Sequence, residues 1–224
     1  MSIYLLLLIV LFLSFISQFM VTNTYKKYLN VKNSNHLSGY QVARKILDDN
    51  GLFDVEIVES QNGLLSDFYD PKRKIVSLSS ENYHGYSISA AAVAAHEVGH
   101  AIQHKTKYIG IELRNTILPF AIISSNIYIF VIMISFMLEM YNLVLIGIIL
   151  YGIVGVFQLI TLPVEIDASS RALKILKSKF YFNDDEYKGA KKVLNAAAFT
   201  YIAAFLATAL NIIRLFLIYN DRRK

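Results

Sequence analysis

Four stretches of this sequence are long, apolar and nearly free of charge, and each must find surroundings other than water. They are Ile3 to Val21, interrupted only by Ser14, Ser17 and Gln18; Ile117 to Leu138; Leu143 to Leu162; and Ala196 to Ile213. A helix needs about 20 residues to cross a hydrocarbon core roughly 30 Å thick, so each run is close to one crossing. A chain that is 55% hydrophobic over 224 residues, with the excess gathered in such runs, is neither a simple soluble globule nor a disordered one. No basic residue precedes the first run, which suits an uncleaved anchor better than a signal peptide. Only Glu139, Met140, Tyr141 and Asn142 separate the second run from the third, enough for a tight helical hairpin. The fourth run is rich in Ala and is followed by Arg214 and the patch Leu215 to Tyr219. It suits a crossing or partial burial against the protein.

Lys and Arg flank these runs unevenly, and positive charge tends to stay on the cytoplasmic side. Lys26, Lys27 and Lys32 follow the first run, Lys105, Lys107 and Arg114 precede the second, and Arg171, Lys174, Lys177 and Lys179 follow the third. The hairpin linker carries only Glu139. This pattern predicts an outside N-terminus and cytoplasmic polar regions in a multi-pass membrane protein. Asp221, Arg222, Arg223 and Lys224 run against it if the fourth run crosses. The net charge of +5 is explained by these flanks, so a nucleic-acid partner is not expected. The expected organisation is an anchor over 1–21, a catalytic region over 22–116, a membrane hairpin over 117–162, a helix and loop over 163–195, and a membrane helix with basic tail over 196–224.

Within 22–116 the sequence predicts a short helix over Gly39 to Asn50, ended by Gly51. Three strand-like runs follow, Val55 to Glu59, Leu64 to Tyr69 and Lys74 to Ser79, and then a helix from about Ser87 to Gln103 seeded by six Ala residues. Lys74 to Ser79 is read either as an exposed edge strand able to hold an extended peptide or as ordinary sheet.

The Ala-rich helix contains His96, Glu97, Val98, Gly99 and His100, an H-E-x-x-H pattern. Residues four apart share one face of a helix, so both imidazoles can converge on one zinc ion. A Glu beside the first His then stands near the open coordination position, where it can accept a proton from a zinc-activated water. The chain has no Cys, which excludes Cys-ligated zinc, iron–sulfur clusters, disulfides and thiol nucleophiles. A catalytic zinc usually has three protein ligands. His104 lies two helical turns beyond His96, about 12 Å along the axis, too far to share its ion. After the hairpin, Glu165 to Lys177 reads as a new helix following Pro163, with Glu165 in its first turn. Glu165 can complete the metal shell there or merely complement the helix dipole; Asp167 is the alternative ligand. Arg171 is read either as orienting a ligand carboxylate or an oxyanion, or as a membrane-surface charge.

The segments Ser66 to Pro71, Ser77 to Ser80, Val93 to Gln103 (VAAHEVGHAIQ) and Leu162 to Leu173 (LPVEIDASSRAL) together resemble the bacterial family of membrane neutral zinc metallopeptidases called YugP-like. The resemblance runs over roughly residues 39 to 215. More distantly the chain is similar to the membrane heat-shock and prenyl-protein zinc endopeptidases. It implies a gluzincin-like site with His96, His100 and Glu165 as metal ligands and Glu97 as general base. Ser169 stands where the distant relatives carry Asp, which puts a supporting carboxylate at that position in doubt.

The expected fold is therefore an α+β membrane protein, mainly helical, with about four transmembrane helices and a small three-stranded sheet beside the zinc helix. The expected function is peptide-bond hydrolysis by a membrane-anchored metallopeptidase with one Zn2+ per chain. Its partners would be a peptide or protein substrate and the lipid bilayer. The competing class is a catalytically silent membrane scaffold that retains zinc. It is disfavoured because structural zinc sites close the fourth position with another Cys or His. A transporter is disfavoured by the scarcity of charged groups within the spans.

Overall fold

The computed structural model describes residues 3–140, 142–179 and 182–222; Tyr141 of the hairpin linker and Arg223 and Lys224 of the basic tail lie outside the described residues. The elements are α1 (Ile3–Leu29), α2 (Gly39–Asp49), β1 (Glu56–Ser60), β2 (Phe68–Asp70), β3 (Ile75–Ser79), α3 (Ser80–His84), α4 (Ile88–Lys105), α5 (Ile109–Met137), α6 (Asn142–Ser178) and α7 (Asp184–Arg222). They form the mainly helical α+β architecture expected, with one small sheet. Two compact units divide the chain.

One unit comprises residues 1–18, 112–163 and 199–224 and is helical where described, apart from the turn at 138–140. Among the described residues four helices are long and apolar enough to cross a membrane: Tyr4–Leu29, Ile109–Met137, Asn142–Ser178 and Asp184–Asp221. Large apolar side chains such as Phe12, Phe15, Phe120 and Phe130 stand more than half exposed on these helices, the pattern expected where lipid replaces water as the solvent. Within the unit, Tyr128 of α5 stacks on Tyr151 of α6 with ring centroids 4.3 Å apart.

The helix α6 corrects one expectation. No new helix begins at Pro163: a single helix runs from Asn142 to Ser178 with Pro163 inside it. Proline lacks the N–H that would bond the carbonyl four residues back, so a break is the usual result. In apolar surroundings one missing bond is a small loss beside the cost of exposing a whole broken turn, and the helix continues. Glu165 therefore lies deep inside a helix, and complementing a helix N-terminus does not explain it.

The other unit comprises residues 19–111 and 164–198. Its helix α2 opens on a capping box: the Ser38 hydroxyl accepts from Gln41 N at 3.3 Å, and Ser38 N donates to Gln41 Oε1 at 2.8 Å. It ends at Gly51, whose φ of +63° places it in the left-handed region that only glycine enters freely. The sheet has the order β1-β3-β2, with β1 parallel and β2 antiparallel to β3. All five residues of β3 are buried. This removes the reading of Lys74 to Ser79 as an edge strand, because β3 is the central strand, paired with β1 along Ile75–Ser79 and with β2 over 75–77. The second strand is also shorter than expected, since Leu64 and Leu65 belong to an exposed turn and pairing starts only at Phe68.

Helix α4 is capped by Ser87, whose Oγ accepts from Ala90 N at 3.0 Å. It is buried on nearly every side. Val42, Ala43, Ile46 and Leu47 of α2, Val76 and Leu78 of β3, Ala172 and Leu176 of α6, and Ala190 and Leu194 of α7 share one core with it. The Ala run thus has two roles, supplying helical propensity and letting several elements approach one helix. Gly99 marks a close approach, because a Cβ there would sit 2.8 Å from the carbonyl oxygen of Ala168 on α6.

Candidate metal centre

Helix α4 presents His96 and His100 one turn apart, their ring centroids 4.8 Å from each other and nearly perpendicular at 82°. The contact of Gly99 with Ala168 brings α6 against the same face, and three residues before Ala168 stands Glu165, only 2% exposed. Its Oε2 lies 3.1 Å from His96 Nε2 and 3.5 Å from His100 Nε2. Donor atoms of these three residues all fall within 4.8 Å of one another.

Each ring nitrogen turned away from this meeting point has a partner. His100 Nδ1 is 3.0 Å from Gln103 Oε1, and His96 Nδ1 is 3.1 Å from Ser169 Oγ. With those nitrogens carrying the protons, both Nε2 lone pairs face the Glu165 carboxylate. Two imidazole nitrogens and a carboxylate oxygen form a donor set suited to zinc. Tetrahedral bonds of about 2.0–2.1 Å place neighbouring ligand atoms about 3.3 Å apart. The observed 3.1 and 3.5 Å bracket that spacing. Zinc therefore fits the residues present, and three protein donors would leave a fourth position for another ligand.

The electrostatics point the same way. Burial pulls the His100 imidazole down, but its hydrogen bond to Glu165 and the charges of Glu97 and Glu165 outweigh burial and leave its pKa raised. Burial pushes the Glu97 carboxyl up; His96 and His100 oppose this, while Glu165 and Asp67 reinforce it. The pocket thus favours an added positive charge, and its one carboxylate without a place among the converging donors has an enhanced appetite for a proton.

Other residues singled out in the sequence lie away from the convergence. His104 is exposed, with its Nδ1 3.1 Å from the Tyr69 hydroxyl. Asp167 is engaged elsewhere: its Oδ2 accepts from Arg171 Nε at 2.6 Å and from Gln103 Nε2 at 2.8 Å. Arg171 thereby braces the alternative carboxylate. At Ser169, where a carboxylate was in doubt, a hydroxyl takes the place beside His96. Gln103, read from the sequence only as the end of the Ala-rich helix, lies with its Oε1 3.0 Å from His100 Nδ1.

Residues 3–220 match the family described as "Putative neutral zinc metallopeptidase". The chain belongs to this family. A relative from Bacillus subtilis (strain 168), named "Putative membrane protease YugP", is 44% identical over 211 residues, which cover 94% of this chain and 93% of the relative. No solved structure matches the chain. The YugP-like resemblance drawn from the four sequence segments is therefore shown over almost the full length. Within this zinc metallopeptidase family, the cluster of half-buried His96 with buried His100 and Glu165 is the feature of the present chain that suits the metal in the family's description.

Proposed function

We propose that this protein is a membrane-anchored zinc metallopeptidase of the gluzincin-like kind, with His96, His100 and Glu165 as ligands of one Zn2+ per chain and Glu97 as general base. The observation that carries the proposal is the convergence of three donor atoms within 4.8 Å of one another, with the Glu165 oxygen 3.1 and 3.5 Å from the two imidazole nitrogens. A zinc ion held there would polarise a water molecule and the scissile carbonyl. Glu97 accepts the proton that water loses as its oxygen adds to the carbonyl carbon, then delivers it to the departing amide nitrogen as the C–N bond breaks. The raised proton affinity of the buried Glu97 suits that shuttle. The open fourth position favours catalysis over a structural pin in a silent scaffold.

The purified full chain in detergent is expected to carry about one zinc per protein and to cleave an unfolded protein such as casein. A chelator should abolish cleavage, and added zinc should restore it. A zinc-loaded chain with no hydrolysis of any peptide would favour the scaffold instead.

The charge flanks support a cytoplasmic catalytic region in the plasma membrane of a bacterium. Because the chain contains no Cys, a single introduced one reports its side cleanly. Lys72→Cys, at an exposed position between β2 and β3, is expected to resist a membrane-impermeant maleimide in intact cells and to react after lysis. Equal labelling in both would reverse the orientation.

A further inference from the structure

The side chain of Gln103 is fully buried and has no polar atom to spare. Its Nε2 donates to the Val164 carbonyl oxygen at 2.8 Å and to Asp167 Oδ2 at 2.8 Å, while its Oε1 faces His100 Nδ1 at 3.0 Å. A primary amide has two N–H donors and one carbonyl oxygen. Both donors are claimed by oxygens, one the Val164 carbonyl and the other a carboxylate oxygen of Asp167 that Arg171 also engages. The orientation of the amide is therefore set from outside the metal centre. That orientation presents an acceptor to His100, so the imidazole carries its proton on Nδ1 and directs the Nε2 lone pair towards Glu165.

The two acceptors have a second significance. Val164 immediately precedes Glu165, and Asp167 follows it by two residues. The amide from α4 thus grips the turn of α6 that carries the third ligand, on both sides of it. Arg171, one turn further along, holds the far end of the grip through Asp167. His96 has a weaker support, since the Ser169 hydroxyl can rotate and accept or donate.

We propose that Gln103 is the positioning residue of the metal centre, fixing the donor nitrogen of His100 and the place of Glu165 with one side chain. This rests on the metal-centre reading above. It distinguishes two kinds of support within the site: loss of Gln103 disturbs two ligands, whereas loss of the Ser169 hydroxyl disturbs one. It also makes the amide's polarity, rather than its bulk, the property that matters.

The test uses the full chain in detergent, with zinc affinity measured by competition against a chromophoric chelator, the visible absorption spectrum of the Co2+-substituted protein, and circular dichroism to follow folding. Gln103→Leu keeps similar bulk and removes the polarity. It is expected to weaken zinc binding about 10–100-fold and to change the cobalt spectrum, as loss of a ligand-supporting hydrogen bond does. Ser169→Ala is expected to weaken binding less. Gln103→Glu alone sets a carboxylate against Asp167 and should also weaken it. Adding Asp167→Asn restores a donor opposite one of the two acceptors and should recover part of the affinity lost in Gln103→Glu, since the Val164 carbonyl still faces a carboxylate oxygen. In a Glu165→Gln background, Gln103→Leu should cost clearly less than in the parent, because one of its two targets is already gone.

Parent-like zinc affinity and cobalt spectrum in Gln103→Leu would overturn the assignment while leaving the metal centre intact. If Gln103→Leu fails to fold, the double exchange decides: tighter zinc binding than in Gln103→Glu alone supports the assignment, and a folded double variant that binds no tighter than Gln103→Glu overturns it. A parent chain that binds no metal overturns the assignment together with the reading beneath it.

Discussion

Replacing Glu97 with Gln is expected to leave zinc bound and the fold intact while peptide hydrolysis falls by about 10²–10⁴-fold. The substitution keeps the size and most of the packing of a residue that is 7% exposed, and removes only its capacity to take up a proton. Zinc retention is preserved because the converging donors come from His96, His100 and Glu165, not from Glu97. A fall of that size corresponds to about 3–5.5 kcal/mol of transition-state stabilisation, since each tenfold is about 1.36 kcal/mol. The loss should appear in kcat more than in KM, because proton transfer belongs to the transition state and not to substrate binding. A Glu97→Gln protein that hydrolyses peptides as fast as the parent would remove Glu97 from the mechanism.

The second large effect is on the metal itself. His96→Ala or His100→Ala should abolish zinc retention at neutral pH, because two remaining donors cannot hold the ion against competing water. Glu165→Gln should weaken binding by about 10–100-fold or more, since a neutral amide is a poorer ligand for a divalent cation than a carboxylate. It also leaves a site designed around a negative charge without one, so the two imidazoles lose the group that both Nε2 atoms face. Asp167→Asn should do much less, because its carboxylate acts at one remove through Gln103. Zinc content after dialysis ranks the four variants, and full occupancy in a His96→Ala, His100→Ala double variant would end the metal-centre reading.

The parts of this architecture that follow from local rules were legible in the sequence. Hydropathy alone locates the four long helices, because the requirement to bury backbone polar groups in lipid leaves few alternatives. The i, i+4 spacing of His96 and His100 on an Ala-rich segment fixes a shared face, and Gly99 signals a close neighbour without naming it. What was not legible depends on partners distant in sequence. The pairing of β1 with β3, across the intervening β2, leaves no trace in either strand, so a buried central strand was read as a possible edge. Pro163 misled for the opposite reason, since its local rule is strong and its surroundings override it. The significance of Gln103 could not emerge from its neighbours in sequence, because two of its three partners lie on α6, 61 and 64 residues away.

The continuity of α6 also orders events during synthesis. Glu165 follows His96 by 69 residues, and the stretch between them includes all of α5 and the apolar part of α6. A ribosome that has finished the H-E-x-x-H helix has made a chain with two of the three converging donors. The donor set becomes complete only after the hairpin has been translated, so a nascent or truncated chain that stops short of it lacks the third donor. The cluster of this chain is thus withheld until three of its four long apolar helices have been largely made.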